Sequence, residues 1–242
     1  AAVGGEATMI RQAENLREEK SHSVSLSADM YRRFGAFQCN LLLEGFYTRL
    51  NHVFVLEEIG KDEEHNAVIK ERRNGQGAEV AGVTVEGKVA YLSLVQLQAG
   101  VTWQKSHYTR PEKWSKDSSV PAEKRIFRTP DWYGYFTATY SPVKPLNIAL
   151  SGTYTGSMIV QHMKGYIPKD MAVTTPDFFD MNLKISYDFS LYKFITLQLN
   201  AGVQNIFNAY QRDFDQGKER DSGYIYGSSM PRSYFAGAKL MF

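Results

Sequence analysis

Side chains with obvious catalytic or metal-binding chemistry are few in this chain and lie far apart. The five histidines are spaced neither like metal ligands on a helix nor like ligands across a hairpin, and the single Cys39 cannot complete a cysteine-rich zinc site. No serine stands out as the partner of a histidine in a nucleophile–base pair. The sequence therefore predicts no metal site, no cofactor and no enzyme activity. The histidines are His22, His52, His65, His107 and His162.

Two short motifs have an ordinary structural interpretation. The basic run Lys70-Glu71-Arg72-Arg73 is interrupted by an acid, which favours a solvated strand rim over a polyanion site. The stretch Gly75-Gln76-Gly77 is not followed by a helical pattern, so it is no nucleotide-binding loop. It indicates a bulge or a bend in a strand.

Binding chemistry is concentrated in three long polar segments, 109–130, 155–176 and 208–231. Function often lies on loops that a rigid scaffold holds in place. Tyrosine and arginine offer amphipathic area and bidentate donors, which suit a large, partly anionic ligand. The alternative is that these side chains merely cover one another or bind lipopolysaccharide phosphates. The candidate ligand contacts are Arg110, Trp114, Tyr166, Tyr210, Arg212, Tyr224 and Tyr226.

The elements that hold these segments are stretches in which apolar and polar residues alternate one by one. In the clearest, 180–189, Met181, Leu183 and Ile185 share one face, while Asn182 and Lys184 share the other. Successive strand side chains point to opposite faces, so the pattern predicts a strand with one apolar and one polar surface. Nine such strands are predicted, at 22–31, 37–55, 69–89, 92–108, 132–140, 146–151, 178–189, 195–204 and 232–242.

Short and long connectors follow one another in strict rotation. Short turns are predicted at 33–36, 88–91, 141–145 and 190–193, and long connectors at 56–68, 109–130, 155–176 and 208–231. Transmembrane β-barrels have short turns on one side and long loops on the other. A soluble sandwich has no cause to segregate loop lengths and favours strands of about 5–6 residues. The predicted fold is therefore all-β, an antiparallel transmembrane β-barrel.

The acidic residues on the polar faces fit this interpretation. Asp29, Glu44, Asp180 and Asp188 are interpreted as channel-lining residues rather than paired catalytic carboxylates. Their expected partners are Lys184, Arg33 or water.

Composition excludes other classes. The 242 residues carry a net charge of +2, with 22% charged residues, which gives no reason to expect nucleic acid. Mean hydropathy is −0.38 and no run of about 18 apolar residues exists, so no transmembrane helix is predicted. The start, Ala1-Ala2-Val3-Gly4-Gly5, has neither an initiator methionine nor a leader pattern. We therefore expect a mature product or a fragment of a longer chain.

The odd number of predicted strands also indicates a fragment of a longer chain. Bacterial single-chain barrels have even strand numbers. An open sheet would also leave two unpaired strand edges in lipid, at several kcal/mol per unsatisfied group. The expectation is that this chain forms the C-terminal part of a larger barrel.

Three stretches resemble the TonB-dependent outer-membrane receptors. The segment 13–21 is similar to the family's "NLxPExS" lead-in to a strand, with Arg17-Glu18 where the family usually has a basic residue and proline. The segment 203–210 resembles the "NlFNxxY" near the family's end, and 230–242 resembles its closing "PRxyxxGxxxxF" strand. The resemblance implies that 1–242 supplies about the last nine strands of a 22-stranded barrel in the bacterial outer membrane.

The resemblance also implies a function and partners. Such receptors take up a scarce nutrient, such as a ferric siderophore, haem or cobalamin, with energy that the TonB complex delivers through a plug domain. The implied partners are that complex, the plug and remaining N-terminal barrel, outer-membrane lipid and lipopolysaccharide, the nutrient chelate and the barrel-assembly machinery. The implied assembly signal is Tyr234, Ala236, Ala238, Leu240 and Phe242.

Three alternatives remain open at this point. A passive porin-type channel would conduct without TonB and without a plug. A soluble carbohydrate-binding β-sandwich would need no detergent. An outer-membrane hydrolase would depend on a serine or histidine.

Overall fold

The computed structural model describes residues 7–65, 67–228 and 230–242, and every regular element in them is a β-strand. These described residues form fifteen strands, numbered in chain order: β1 (Ala7–Gln12), β2 (Lys20–Phe34), β3 (Phe37–Asn51), β4 (Phe54–Asp62), β5 (Ala67–Asn74), β6 (Ala78–Tyr91), β7 (Val95–Glu112), β8 (Glu123–Arg125), β9 (Trp132–Val143), β10 (Leu146–Thr155), β11 (Ile159–His162), β12 (Met171–Thr174), β13 (Phe178–Tyr192), β14 (Ile195–Gln204) and β15 (Ser233–Met241).

Nine of these strands form one antiparallel sheet, which we call the main sheet. Its order is β2-β3-β6-β7-β9-β10-β13-β14-β15, so each strand pairs with the next long strand along the chain. The short β8 adds to β7. Within the described residues the first and last strands, β2 and β15, do not pair with each other. The predicted antiparallel wall is confirmed, with nine long strands in the described residues, and the sheet is open.

The register brings the apolar residues of neighbouring strands together. Leu43 lies opposite Val85, and Val85 lies opposite Val101. Residues directly opposite each other share a face, so one continuous apolar face runs across the sheet. Leu43 on this face is 49% exposed. A surface of this size and character is not one that a soluble monomer leaves to water.

The opposite, polar face carries amide, hydroxyl and charged side chains. Asp29 accepts a hydrogen bond from Asn40 at 2.5 Å, and Asp188 accepts one from Gln198 at 2.8 Å. The predicted partners of these carboxylates were lysine, arginine or water. Cross-strand neighbours supply the donors instead, because amides on the adjacent strand lie within reach without any loop movement.

The short turns lie at one end of the main sheet, at 35–36, 92–94, 144–145 and 193–194. Gly35 has a φ of +58°, as expected for the tight turn predicted there. The turn predicted at 88–91 is wrong, since β6 continues to Tyr91 and the chain reverses at Leu92, with a φ of +50°. The chain reverses later because β6 and β7 remain paired as far as Tyr91 and Val95.

The turn predicted at 141–145 also begins too early, because β9 runs through Pro142 to Val143. The pairing of β9 with β10 shifts register here, so Ser141 and Pro142 together face one residue of β10. A proline has no N–H to donate, and a bulge is where a strand tolerates it.

The strand predicted at 69–89 is two elements in different sheets. Its first part belongs to β5, which pairs with β4 and, in parallel, with β1. Its second part is β6 of the main sheet. The connector predicted at 56–68 is therefore largely a hairpin, and residues 54–55 belong to β4 rather than to the second wall strand. Alternation continues from β5 into β6 because both are strands. The alternating pattern of residues does not specify to which sheet a strand belongs.

The long connectors lie together at the other end and contain several of the most buried residues. Ile159, Val160 and Tyr224 are all at most 3% exposed. These connectors also include the two-stranded sheet of β11 and β12. In the described residues, buried apolar side chains thus lie mainly in these connectors and at the strand ends beside them.

Candidate functional site

Three connectors, 113–131, 156–177 and 205–232, pack against one another, and we call them the loop cluster. They contain six of the seven side chains predicted as ligand contacts. The connector 205–232 has no strand in its described residues, so its backbone groups need other partners.

Gln211 supplies two of those partners and is 1% exposed. Its Nε2 donates to the carbonyl of Tyr224 at 3.0 Å, and its Oε1 accepts from the amide of Tyr226 at 2.9 Å. One side chain thus bridges the two branches of the connector as a neighbouring strand would.

Two tyrosines of the same connector converge on one carboxylate. The hydroxyl of Tyr224 donates to Asp213 at 2.8 Å and that of Tyr226 at 2.5 Å. Burial and the Asp213 carboxylate raise the pKa of Tyr226 to about 12 and that of Tyr224 further. Burial opposes ionisation of Asp213, but the two phenol donors outweigh it and lower the pKa of this carboxyl. At neutral pH both phenols are therefore donors and Asp213 is a charged acceptor.

A histidine from the neighbouring connector joins this group. His162, at the end of β11, stacks on Tyr224 with ring centroids 3.7 Å apart and planes 6° from parallel. Its Nε2 lies 2.9 and 3.0 Å from the two carboxylate oxygens of Asp215, whose side chain is 2% exposed. Asp221 accepts from the amide of Met163 at 2.8 Å. The two connectors are therefore held together by both ring and carboxylate contacts.

The third connector is held to the other two by polar contacts. Arg128 donates to the carbonyl of Ile225 at 2.6 Å and to that of Gly223. Ser115 donates to Asp170 at 2.5 Å. These contacts join segments up to 97 residues apart in the chain. The loop cluster is consequently one packed unit.

The predicted ligand contacts fall into two groups. Tyr224 is 3% exposed, and Trp114 packs on Phe127 and donates to the carbonyl of Pro121 at 3.2 Å. Tyr226 is half-buried, with its ring centroid 5.3 Å from that of Tyr224. The others are Arg110 in β7, which is exposed, Tyr166, which is 55% exposed, and the pair Tyr210 and Arg212, in which the guanidinium carbon is 5.1 Å from the ring centroid.

Sequence reasoning missed the residues that hold the loop cluster together. Gln211, Asp213, Asp215 and Arg128 have long-range partners that no periodic pattern marks. One signal was available: in Asp221-Ser222-Gly223 the carboxylate accepts from the glycine amide at 2.8 Å, a local turn typical of aspartate before glycine.

The described residues contain neither a cluster of metal ligands nor a membrane-spanning helix. No group of three or more histidine, cysteine or acidic residues is placed to hold a metal ion. No helix in residues 7–65, 67–228 and 230–242 is long and apolar enough to cross a membrane.

The open main sheet, its apolar face and the separation of short turns from long connectors are those of a transmembrane barrel wall. A family model described as "TonB dependent receptor-like, beta-barrel" matches residues 3–206. The chain belongs to the family of TonB-dependent receptor β-barrels. This family consists of receptors and transporters, and membership in it overturns the alternative of a soluble carbohydrate-binding sandwich.

Solved structures share the fold at low sequence identity. The ferripyoverdine receptor of the outer membrane of Pseudomonas aeruginosa has a TM-score of 0.63 and 14% identity, with 96% of this chain covering 29% of that one. The ferric-catecholate import receptor Fiu from E. coli K12 has a TM-score of 0.60 and 17% identity, with 95% of this chain covering 28% of that one. The FrpB iron transporter from Neisseria meningitidis has a TM-score of 0.56 and 13% identity, with 97% of this chain covering 32% of that one.

The chain spans about a third of the length of these receptors, and no curated protein matches its sequence significantly. The structural likeness shows the fold.

Proposed function

We propose that this chain is part of an outer-membrane receptor that takes up a large, scarce nutrient by TonB-coupled active transport. The observation that carries the proposal is a receptor-family barrel wall whose long connectors form one packed cluster at one end. Ferric siderophores are the first substrate class to test, because the similar structures are named as receptors or transporters of iron or its chelates. Haem and cobalamin-like chelates are the next.

We further propose that 1–242 supplies the C-terminal strands of that barrel. The similar receptors are about three times as long, which leaves room for the remaining strands and the plug through which TonB acts. On the last strand, β15, residues Tyr234, Ala236 and Leu240 lie opposite apolar-face residues of β14. This row, with Ala238 and the 90% exposed Phe242, is the proposed signal for the barrel-assembly machinery.

We propose that the candidate ligand contacts have two different roles. A side chain that contacts ligand must be accessible, and Arg110, Tyr166 and Arg212 are exposed. We assign these three to ligand contact. Tyr224 and Trp114 are engaged within the loop cluster, so we assign them to holding it in shape.

Iron-limited growth tests the function. The gene that encodes this chain is deleted, and growth and uptake of ⁵⁵Fe are measured with a panel of ferric hydroxamates, catecholates and haem. The expected result is loss of uptake of one chelate, restored by the intact gene and abolished by a protonophore or by loss of TonB. A passive porin would give uptake that persists without TonB and follows the gradient alone, and that result would overturn the proposal.

Point variants of the intact protein test the division of roles. Replacing the exposed Arg212 by Ala should raise the half-saturating chelate concentration while the protein level in the outer membrane stays unchanged. Trp114→Phe keeps an aromatic ring beside Phe127 and removes the indole donor to Pro121, so chelate affinity should fall less than in Arg212→Ala. Equal losses of affinity in both variants would show that the assignment is wrong.

A further inference from the structure

The hairpin of β4 and β5 joins the main sheet through residues 52–54 and 74–75, which we call the hairpin neck. The segment that leads into β2 lies against this neck. The main-chain amide of Arg17 donates to Oδ1 of Asn74 at 2.7 Å, and Nδ2 of Asn74 donates to the carbonyls of Arg17 at 2.8 Å and His52 at 2.9 Å. One amide side chain therefore fastens the hairpin to the segment before the first wall strand.

Asn74 is followed by a glycine, and this is the only asparagine–glycine pair in the sequence. The packing of the neck favours a residue without a side chain here. A Cβ at Gly75 would lie 2.9 Å from Oε2 of Glu112, whose side chain is 7% exposed, and 2.9 Å from Cγ1 of Val55. The Gly75 amide donates to the carbonyl of Val53 at 2.7 Å. The neck thus places side by side an asparagine that fastens it and a glycine that fits it.

Asparagine before glycine is a chemically reactive pair. After losing its proton to water or hydroxide, the main-chain nitrogen of the glycine can attack the asparagine Cγ, because no side chain hinders its approach. The new bond closes a cyclic succinimide, and the side-chain nitrogen takes up a proton and leaves as ammonia. Water then opens the ring. Cleavage of the N–Cγ bond gives aspartate, and cleavage of the bond to the main-chain carbonyl carbon gives isoaspartate.

In the closed neck both reacting groups are engaged. The Asn74 amide is held by its bonds to Arg17 and His52, and the Gly75 proton lies in the bond to Val53. Attack requires the side chain to turn away from Arg17 and the glycine nitrogen to lose that proton. Local opening of the hairpin releases both groups together, so the frequency of opening limits the reaction.

We propose that Asn74 is a site of spontaneous deamidation, that the hairpin neck controls the reaction, and that the reaction releases the hairpin irreversibly. Neither product has the Nδ2 donor, so the carbonyls of Arg17 and His52 lose their partner and meet a carboxylate oxygen instead. Isoaspartate also adds a carbon to the main chain, which displaces Gly75 from Val53. A neck that has reacted should therefore open more often than a fresh one.

Ageing of the intact protein, purified from outer membranes in mild detergent, tests the site. Samples kept in mildly alkaline buffer are digested with a protease that cleaves after lysine. Asn74 is the only asparagine in the resulting peptide 71–88, so tandem mass spectrometry and isoaspartate-specific methylation measure its conversion. Conversion should be slow in the folded protein and at least about tenfold faster in urea, because unfolding removes every contact of the neck.

Two adjacent glutamates provide a matched pair of variants. Glu19 accepts from the amide of Phe54 at 3.0 Å and so fastens the neck, whereas Glu18 pairs with Lys20 at 2.9 Å. Glu19→Ala should speed conversion in the folded protein at least about threefold, the lower end expected for one lost hydrogen bond. Its rate in urea should equal that of the wild type. Glu18→Ala should convert like the wild type in both conditions.

Amide hydrogen exchange tests the release of the hairpin. Asn74→Asp should raise exchange of the Gly75 amide about tenfold, which corresponds to about 1.4 kcal/mol. The control Asn147→Asp changes an asparagine that donates to Ser141 at 3.0 Å on the main sheet, and it should leave this amide unchanged. Aged and fresh wild type give the same comparison if Asn74→Asp assembles poorly.

Each part of the proposal can fail separately. Equal rates in folded and unfolded protein, or in Glu19→Ala and Glu18→Ala, would overturn control by the neck. If neither the folded wild type nor Glu19→Ala converts while the protein in urea reacts completely, Asn74 is not a modification site of the folded protein. Unchanged exchange in aged protein would overturn the release. None of these measurements uses a chelate, so their outcome is independent of the proposed transport.

Discussion

Replacing Tyr224 with phenylalanine is expected to loosen the loop cluster without unfolding the main sheet. The substitution removes one atom, the hydroxyl that donates to Asp213 at 2.8 Å, and keeps the ring that stacks on His162 at 3.7 Å. No buried polar atom is left without a partner on the tyrosine side. Asp213 still accepts from Tyr226 at 2.5 Å.

The size of the effect follows from the type of hydrogen bond. A bond to a charged group contributes about 1.5–3 kcal/mol. Asp213 is exposed, so water replaces the lost donor, and the cost should lie near the lower limit of about 1.5 kcal/mol. Since 1.4 kcal/mol is a factor of ten in an equilibrium constant, opening of the loop cluster should become about tenfold more frequent.

Amide hydrogen exchange on the intact protein measures this opening directly. The amide of Tyr226, bonded to Gln211 at 2.9 Å, and that of Met163, bonded to Asp221 at 2.8 Å, should both exchange about tenfold faster in the variant, because cluster opening exposes both. Amides in the centre of β13 should be unchanged. The matched control is Tyr166→Phe, at a side chain that is 55% exposed.

Two results would refute the reasoning. Unchanged exchange at both amides would mean that the Tyr224 hydroxyl does not limit opening. Faster exchange at Tyr226 alone would mean that connectors 156–177 and 205–232 open separately, so that the loop cluster is not one unit.

The remaining predictions concern other parts of the molecule. Arg73→Met should destabilise the β4–β5 hairpin by about 3 kcal/mol, because it leaves the Glu112 carboxylate, 7% exposed, without its cation; faster proteolysis of the hairpin checks this. Gly202→Ala should weaken the β14–β15 pair by about 1–3 kcal/mol, because a Cβ there meets backbone and an aromatic ring. Gly87→Ala, with open space around it, should not weaken its strand. The two variants are compared by the temperature at which heating changes the electrophoretic mobility of the barrel. The pKa of Tyr226 is raised from 10.0 to about 12 in the folded protein. The protonated phenol therefore stabilises the loop cluster fully below pH 10, and this contribution is lost as the pH rises through 12. Tyr226→Phe should remove the corresponding pH-dependent increase in amide exchange of the loop cluster.

The wall of the molecule could be predicted from sequence because two solvents act on it at once. Lipid on one face and water on the other impose a period of two, and the register shows that Leu43, Val85 and Val101 respond to the same constraint. Strand ends were less predictable. The reversal at Leu92 and the bulge at Pro142 depend on pairing with a neighbour, which alternation along one strand does not contain.

The loop cluster could not be predicted from the same pattern. His162 and Asp215 are 53 residues apart, and Arg128 and Ile225 are 97 apart. The side chains that make these contacts recur at no regular spacing in the sequence, because each one satisfies a particular unpaired backbone group or carboxylate. Only local signals, such as the aspartate–glycine turn at 221–223, can be recognised in advance.

Enrichment of tyrosine in a receptor loop therefore has two physical meanings that composition cannot separate. A tyrosine can present its ring and hydroxyl to a ligand, or it can use both within the protein, as Tyr224 does with His162 and Asp213. Exposure distinguishes the two, since Tyr166 is 55% and Tyr224 3% exposed. A packed cluster also has a consequence for binding: the exposed contacts are carried on a preorganised frame, so less ordering entropy opposes ligand capture. Variants that loosen the frame should then weaken chelate binding even though they remove no contact with the chelate.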